Sequence, residues 1–344
     1  MQFTRTRIAG LGYTLPEQVV TTRALETRLA PLYERLRLPE GRLEEMTGIR
    51  ERRFWPVGTP LAPISAASGR TALHRAGIES KDVGMLVHGS VCRDHLEPAT
   101  ACRVHHELGL PAACTIYDVS NACLGILNGM VQVAAMIELG HVRAGLVVGT
   151  ENGCELVDNT TRLLNSDEAL TRKSIKSSIA SLTIGSASVA VVLCDESLCP
   201  PGGGRLIAAT TRAETLHHAL CQSDGLETVM HTDSEQLMQM GVRTGAETFG
   251  RFLEEASWRT DQIDRTFCHQ VGVAHRRLLF ESLGLDPRID FATLEWLGNT
   301  GAAALPVTMA IGLEQDHVKR GDRVAMLGIG SGINCLMLGA EWGG

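Results

Sequence analysis

The sequence predicts an α/β fold made of two similar halves. Three observations support this prediction: short apolar runs typical of buried strands, longer helical patterns between them, and a faint internal repeat. The strand-like runs lie at 84–91, 144–149, 187–194, 265–271 and 323–330. Because helical patterns separate these runs, we expect helices to cover both faces of the sheet.

The length of the chain and a turn-rich segment predict where the halves divide. At 344 residues, with 44% apolar and 21% charged residues, the chain is long enough for two units of ordinary domain size. The segment CPPGGGR at 199–205 is the clearest turn-rich junction, so we expect an N-terminal half at 1–200 and a C-terminal half at 201–344. The polar segment 154–178 predicts a surface excursion from the N-terminal half.

The internal repeat relates positions that are 181 residues apart. It aligns Gly140, Ala144, Leu146 and Gly149 with Gly321, Ala325, Leu327 and Gly330, and His88 with His269. These five matches without gaps indicate two related α/β halves packed together. A functional site is then expected where the halves meet.

Charge and apolar patterning exclude two classes of partner. The formal net charge is −7 and the basic residues are dispersed, which argues against nucleic acid. No run of 18 uncharged apolar residues occurs and the start of the chain lacks a signal-peptide pattern, so we expect a soluble cytoplasmic protein without a membrane span. The ten cysteines are then expected to be mostly reduced core residues.

Motifs for metals and nucleotides do not occur in the sequence. There is no C-x-x-C, no H-E-x-x-H and no G-x-x-x-x-G-K-[ST] pattern. The stretch GLGYTL at 10–15 begins like a dinucleotide-binding loop, but it has leucine where the third glycine belongs. We therefore expect neither a metal site nor a bound cofactor.

Cys123 stands between a strand-like run and a long apolar run of helix formers, in the stretch YDVSNACLGILNGM. The second run is apolar on nearly every side, which predicts a helix buried in the middle of the protein. A thiol at the start of such a helix is close to the positive end of its dipole, which predicts a lowered thiol pKa and N–H groups able to hold an oxyanion. Position alone leaves a bland buried cysteine as an equal alternative.

Two later stretches supply possible partners for this cysteine. TFCHQVGVAH places His269 at the end of an apolar strand, and LEWLGNTGAAALP places Asn299 in a glycine-flanked turn. Strand ends are where α/β proteins place chemistry, although a lone histidine is more often a core residue and a lone asparagine more often a turn residue. Together with Cys123 they form a Cys, His and Asn set, and GIGSGINC at 328–335 adds a glycine-rich turn.

These motifs resemble, in order, those of the thiolase superfamily in its β-ketoacyl-ACP synthase III branch. The matching stretches are DVSNACLGILNGM, HQVG, GNTGAAALP and GIGSGINC, and AGLGYTLPEQVVTT and TGIRERRF extend the resemblance over nearly the whole chain. The resemblance implies the five-layered αβαβα thiolase arrangement, built from two similar halves. It also implies a homodimer.

The resemblance also implies roles for the site residues. Cys123 would be the acyl-accepting nucleophile, while His269 and Asn299 would donate hydrogen bonds to the carbonyl oxygen of the incoming thioester. The backbone N–H groups of Cys123 and Ser331 would form a second oxyanion hole. CoA would enter as the carrier of the acyl substrates, with no further cofactor.

The stretch SVCRDHLEPATA at 90–101 resembles the branch of the superfamily that condenses two long-chain acyl-CoAs at the start of bacterial olefin synthesis. In that branch the glutamate of Leu-Glu-Pro reaches the active site of the partner subunit as a general base, and Glu97 is the matching residue here. The alternative is a carboxylate that, just before Pro98, sits at a helix N-terminus. Protein partners implied by the resemblance are downstream olefin-pathway enzymes or an acyl carrier protein.

Three departures from the synthase III pattern leave alternatives open. Gly272 stands where those enzymes usually have asparagine, and Met46 and Arg42 stand where many have an arginine and a tryptophan that hold the nucleotide end of CoA. The expected reaction is condensation of two acyl-CoAs without decarboxylation. The alternatives are decarboxylative condensation with malonyl-ACP, and acyl transfer from Cys123 to an alcohol or amine.

Overall fold

A twisted mixed sheet organises the chain, and the computed structural model describes residues 1–199, 202–223 and 229–343. In chain order the strands are β1 (Thr6–Thr14), β2 (Gln18–Thr21), β3 (Glu51–Phe54), β4 (Val83–Gly89), β5 (Thr115–Val119), β6 (Ala144–Glu151), β7 (Ala187–Asp195), β8 (Gly204–Ala213), β9 (Cys221–Gln222), β10 (His231–Thr232), β11 (Arg265–Cys268), β12 (Arg323–Gly330) and β13 (Asn334–Trp342). Nine of them form one sheet in the order β11-β12-β13-β8-β1-β7-β6-β4-β5. The five apolar runs of the sequence are all strands of this sheet.

The helices pack on the two faces of this sheet and on each other. They are α1 (Thr22–Arg28), α2 (Ala30–Leu36), α3 (Arg42–Thr47), α4 (Leu61–Ala76), α5 (Thr100–Leu108), α6 (Gly125–Glu138), α7 (Cys154–Ser166), α8 (Ser234–Ala256), α9 (Val273–Leu283), α10 (Leu294–Leu297) and α11 (Ala304–Glu314). None of the helices in the described ranges is both long enough and apolar enough to cross a bilayer.

Strand order repeats along the chain. The first set runs β5-β4-β6-β7-β1 and the second runs β11-β12-β13-β8, so β4 corresponds to β11 and β6 to β12. Each set has parallel pairing at its start, between β4 and β6 and between β11 and β12. The 181-residue offset therefore relates strands with the same place in the sheet. The boundary near residue 200 stays a prediction, because residues 200 and 201 lie outside the described ranges.

Three apolar cores hold the five layers together. The central core lies between the two sets of strands and contains α6 and α11, whose side chains are buried on nearly all sides. A second core lies under α4 and α5, and a third under α8 and α9. The structure therefore has the predicted five-layered αβαβα arrangement, with the helix after Cys123 in its middle layer.

The polar segment 154–178 has an apolar side of its own. It contains α7, whose Val157 and Leu164 pack with residues of α1, α2 and α3 in a fourth, smaller core. Because helix α7 is amphipathic, its polar face covers this lobe while its apolar face holds it together.

His88 and His269 occupy corresponding strand ends, yet their surroundings differ. His88 lies within β4 in a chain of buried side chains, with its Nε2 3.3 Å from Ser65 Oγ. Ser65 Oγ lies 2.6 Å from Thr150 Oγ1, which donates to Ser188 Oγ at 2.8 Å. This chain ties β4, β6 and β7 together, so His88 is part of the core structure.

Candidate active site

A cavity of about 1320 Å³ opens where β4, β6, β11 and β12 end. Its lining includes Cys123, His269, Asn299 and Ser331. The structure thus brings four of the predicted site residues to one place, with the nucleophile from the first half of the chain and its partners from the second. The position is the one that α/β sheets offer to ligands, beyond the carboxyl ends of their strands.

Cys123 sits in a tight turn between β5 and α6. Ala122 just before it has φ 46°, a left-handed conformation that costs a residue with a side chain about 1 kcal/mol or more. The amide of Asn121 holds the turn, because its Nδ2 donates to Asn128 Oδ1 at 2.8 Å and its Oδ1 accepts from Asn334 Nδ2 at 3.0 Å. Amides from both halves therefore fix the backbone that presents the thiol.

Glycines at the ends of β4 and β12 and at the start of α6 lie close to this turn. A Cβ atom at Gly89, the last residue of β4, would lie 2.6 Å from the carbonyl carbon and oxygen of Gly125, the first residue of α6. At Gly330, the end of β12, a Cβ would lie 3.2 Å from the Leu124 Cγ, a tight contact, and 3.5 Å from the backbone nitrogen of Cys123, an ordinary one. The main chains of β4 and β12 thus set where the nucleophile turn lies.

The predicted lowering of the Cys123 pKa is wrong. Burial raises the pKa of the thiol to about 12, and the nearby Glu151 carboxylate adds to that rise. Helix α6 begins at Gly125, two residues beyond the cysteine, so the thiol does not lie in its first turn. Loss of water around a buried thiolate therefore outweighs the favourable N–H groups of the turn.

His269 follows β11 directly and is held as a neutral imidazole. Its backbone N–H donates to Leu327 O at 3.1 Å, and only 4% of the residue is exposed. Burial lowers the pKa of His269 to about 3, with a further contribution from His275. Its Nδ1 has no hydrogen-bond partner among the described residues. The ring is thus free to donate one N–H to a ligand across the physiological pH range.

Asn299 lies in a turn whose backbone is fixed from both sides. Its N–H donates to Thr183 O at 2.9 Å, and its carbonyl oxygen accepts from Gly185 N–H at 2.9 Å. The side-chain Oδ1 accepts from Gly301 N–H at 3.0 Å. With the oxygen engaged, the amide Nδ2 is left as the donating group of this buried side chain.

Arg52 packs against the Asn299 turn, and no local pattern in the sequence predicted this role. This fully buried side chain donates to Thr22 Oγ1 at 2.9 Å and to Leu182 O at 3.2 Å. Cβ atoms at Gly185 and Gly298 would each lie 3.3 Å from the Arg52 Cβ. Burial lowers the pKa of Arg52 to about 10. The motif TGIRERRF thus contributes to the site through packing.

Comparison with known proteins identifies the family. Residues 52–199 match the model for the thiolase N-terminal domain, and residues 253–342 match that for the 3-oxoacyl-[acyl-carrier-protein] synthase III C-terminal region. The chain is 41% identical to the acyl-CoA:acyl-CoA alkyltransferase of Shewanella oneidensis, covering 99% of this chain and all of that one. The chain belongs to the acyl-CoA:acyl-CoA alkyltransferase family.

Other alkyltransferases and their relatives agree with this assignment. The enzyme of Xanthomonas campestris is 33% identical over 99% of this chain and all of its own length. A crystal structure of Xanthomonas campestris OleA superposes with a TM-score of 0.94 at 32% identity, covering 99% of this chain and 98% of that one. A β-ketoacyl-ACP synthase III of Symbiobacterium thermophilum is 29% identical, covering 98% of both chains. The predicted thiolase-superfamily resemblance is confirmed.

Glu97 is not brought to the cavity of its own chain. It lies exposed in the loop between β4 and α5, and it does not line the cavity. It does not cap a helix either, because α5 begins at Thr100 and the N–H groups of Thr100 and Ala101 donate to Asp118 at 2.8 and 2.9 Å. Asp118 thus fills the helix-end role that the sequence left open for Glu97.

Two of the three departures of this chain from the synthase III pattern lie at the cavity. Met46 and Gly272 both line it, and Met46 is 43% exposed. Arg42, the first residue of α3, is absent from the described lining. At this part of the cavity, Met46 thus stands in place of an arginine and Gly272 in place of an asparagine.

Glu151 is the site residue that sequence reasoning missed. It ends β6, is 5% exposed and lines the cavity close enough to Cys123 to raise its pKa. Its only signal in the sequence is an acidic residue directly after an apolar strand run, AGLVVGTE. In the described residues, no group of three or more histidine, cysteine or acidic side chains is arranged to hold a metal.

Proposed function

We propose that the chain joins two acyl-CoA molecules by Claisen condensation without decarboxylation, giving a 2-alkyl-3-oxoacyl product through a thioester on Cys123. The observation that carries this proposal is the meeting of Cys123, His269 and Asn299 in one large cavity. The relatives named acyl-CoA:acyl-CoA alkyltransferase support it. CoA leaves the first substrate when Cys123 is acylated. The Cys123 sulfur leaves when the enolate of the second substrate forms the carbon–carbon bond, so the chemistry needs no further cofactor.

The first step acylates Cys123. Its sulfur attacks the thioester carbonyl of one acyl-CoA, the new C–S bond forms, the bond to the CoA sulfur breaks, and the thiol proton ends on CoA. Backbone N–H groups of Cys123 and Ser331 would hold the oxyanion of this step. Because burial keeps the thiol protonated in the free enzyme, proton loss accompanies attack instead of preceding it.

The second step makes a carbon nucleophile from the other acyl-CoA. His269 and Asn299 would donate hydrogen bonds to its carbonyl oxygen, so that loss of an α-proton gives an enolate held by two neutral donors. Because its pKa is about 3, His269 is neutral at physiological pH. It therefore donates a hydrogen bond to the enolate and does not transfer a full proton to it. Loss of one such donor typically lowers the rate about 10² to 10³-fold.

An α-proton can leave only if a base removes it, and we assign that role to Glu97 of the partner subunit in a homodimer. The loop that carries Glu97 is well anchored, because Asp94 accepts from the N–H groups of Leu61 and Ala62 at the start of α4 at 2.6 and 3.1 Å. The tip points away from the molecule, with Leu96 94% exposed. An ordered loop with an exposed apolar tip is suited to insertion into a neighbouring subunit.

Variants of a relative support the same pairing of residues. The solved structures of Xanthomonas campestris OleA include variants at a cysteine and at a glutamate 26 positions before that cysteine. In this chain Glu97 lies 26 positions before Cys123. A structure of that enzyme also carries bound lauric acid and lauroyl-CoA. Long-chain acyl-CoAs are therefore the substrates to test first.

The decisive experiment is incubation of purified protein with myristoyl-CoA alone, followed by mass spectrometry of the products and measurement of free CoA. We expect a 2-alkyl-3-oxo product, with two CoA molecules released for each product once its thioester is hydrolysed. Product formation that requires malonyl-ACP, or acyl transfer only to an added alcohol or amine, would contradict the proposal.

Mixed dimers test the origin of the base. Glu97→Gln and Cys123→Ala should each be nearly inactive, whereas Glu107→Gln, an exposed carboxylate on nearby α5, should keep parental activity. Statistical mixing of the first two gives mixed dimers with one complete site each, so roughly a quarter of parental activity should return. If mixed dimers are confirmed but no activity returns, Glu97 does not act as the base in the partner subunit's site.

A further inference from the structure

Glu151 is a buried carboxylate that the proposed steps do not use. It ends β6 at the wall of the cavity, between the loop that follows β4 and the turn that contains Asn299. Burial raises its pKa, while hydrogen bonds from backbone N–H groups act in the opposite direction. A carboxylate in such a place is costly unless its oxygens are well satisfied.

The carboxylate of Glu151 accepts backbone N–H groups from two separate segments, and its Oε1 accepts from both. Val91 donates to Oε1 at 2.9 Å and Cys92 donates to Oε2 at 3.1 Å. From the other side, Ala302 donates to Oε1 at 3.3 Å. A Cβ atom at Gly301 would lie 3.2 Å from the carboxylate carbon, so this turn also packs directly against the carboxylate.

The two segments carry the two devices of the second reaction step. Val91 and Cys92 begin the loop that presents Glu97, and Ala302 follows the turn that presents Asn299. We propose that Glu151 is a positioning residue that couples the Glu97 loop to the Asn299 turn. One carboxylate then holds both the base that this chain gives to the partner's site and the enolate donor of its own site. This inference rests on the roles proposed above for Glu97 and Asn299.

Charge gives Glu151 a second, measurable consequence. Its carboxylate is among the groups that raise the pKa of Cys123, second only to burial. Removal of the charge should therefore make the thiolate easier to form, while removal of the hydrogen bonds should loosen both segments. A residue that acted only by filling space would produce neither effect.

Glu151→Gln keeps the size of the side chain but replaces one accepting oxygen by a donor. That donor faces an N–H group, so at least one buried N–H loses its partner. Glu151→Ala removes both accepting oxygens, so hydrogen exchange followed by mass spectrometry should show faster exchange in both 91–99 and 299–303 of that variant. Condensation should fall about 10 to 100-fold, in keeping with a displacement of catalytic groups by a fraction of an ångström.

Alkylation of Cys123 by iodoacetamide, measured against pH, gives the readout that does not depend on turnover. In Glu151→Gln the profile should move to lower pH, because the neighbouring negative charge is gone. Glu151→Asp keeps the charge but is too short to reach both segments. It should therefore keep the parental profile and still condense slowly.

Glu26→Gln is the matched control. Glu26 is also buried and its carboxylate also accepts two backbone N–H groups, from Gly41 and Leu43 at 2.8 Å each, but it lies in the lobe of α1 to α3. This variant should leave the exchange of 91–99 and 299–303 and the alkylation profile unchanged.

Three results would overturn the inference. They are faster exchange in only one of the two segments of Glu151→Ala, an alkylation profile of Glu151→Gln identical to the parent, and the same changes in Glu26→Gln. Exchange and alkylation are measured without substrate. A parent protein that makes no product from acyl-CoA alone would therefore refute the proposed reaction, whereas the coupling of the two segments would still be decided.

Discussion

Gly89→Ala should slow acylation of Cys123 although it lies outside the cavity lining. Gly89 ends β4, and its missing side chain allows the first residue of α6 to lie against the strand. A Cβ at this position would be 2.6 Å from the carbonyl carbon and oxygen of Gly125 and 2.7 Å from Ile126 N. All three atoms belong to the main chain, so no side-chain rotation can relieve the contact.

The expected displacement follows from these distances. Ordinary contact for a Cβ atom begins at 3.4 Å, so the strand and the helix must separate by about 0.8 Å. The turn with Cys123 is continuous with α6 and must move with it. A shift approaching 1 Å at a reacting atom lowers rates on the order of 10²-fold, and overpacking typically costs about 1–3 kcal/mol of stability.

A graded series separates the effect of displacement from that of the alanine itself. In Gly125→Ala the nearest backbone atom would be 3.0 Å away, so the separation needed is about half as large and acylation should fall about 10-fold. Gly250→Ala, exposed on α8 with nothing within 4 Å, should acylate at the parental rate and gain about 0.5–1 kcal/mol of stability.

Single-turnover acylation by myristoyl-CoA, followed by intact-protein mass spectrometry, measures the rate directly. Thermal unfolding of each variant shows whether the protein is folded at the assay temperature. A folded Gly89→Ala that acylates at the parental rate would refute the reasoning. So would a Gly125→Ala rate below that of Gly89→Ala, because the order of the effects follows from the order of the contact distances.

Three further predictions concern the site and the buried histidines. Treatment with acyl-CoA should add one acyl group to the protein, and Cys123→Ala should abolish this adduct. His269→Ala and Asn299→Ala should still be acylated but condense about 10² to 10³-fold more slowly, because their donors act on the second substrate. The free energy of unfolding should fall as the pH drops below 6.5, since burial lowers the pKa of His88 and His275 to about 4 and that of His269 to about 3, so the unfolded chain binds protons first. Between pH 6.5 and 5 each histidine contributes up to about 2 kcal/mol to that loss.

Each of these predictions has a result that would count against it. An unchanged adduct in Cys123→Ala would move the nucleophile to another of the ten cysteines. Condensation at the parental rate by His269→Ala or Asn299→Ala would remove that residue's role as donor. Urea unfolding at pH 7 and pH 5 tests the third prediction. His88→Gln should reduce the difference by up to about 2 kcal/mol, and an undiminished difference would contradict the assignment.

The sequence predicted those features that depend on local pattern. Apolar runs of strand length became strands of the large sheet, and residues toward the ends of such runs, such as His269, lie at the cavity because strand ends converge there. The position of Cys123 between a strand and a helix was predicted from the same kind of pattern. The direction of its pKa shift was predicted wrongly. A helix dipole can be inferred from a sequence, whereas the degree of burial of the thiol depends on the packing of both halves.

Residues that act across long stretches of chain could not be found from sequence. Ala302 donates to Glu151 across 151 positions, and Arg52 donates to Leu182 O across 130 positions. Nothing in the local sequence of either residue indicates these partners. Likewise, the sequence left Glu97 either at a helix end or in the partner's active site, and the first alternative is excluded by Asp118, which occupies that helix end.

The size of the cavity has a thermodynamic consequence for substrate binding. A volume of about 1320 Å³ is on the order of 40 water molecules, and acyl chains must displace that solvent from a wall that includes Leu61, Leu156, Ile184 and Leu237. Transfer of apolar surface out of water lowers the heat capacity. Titration calorimetry at several temperatures should therefore show a negative heat-capacity change that grows with chain length and levels off once the cavity is full, so that calorimetry reads the longest acyl chain the enzyme accommodates.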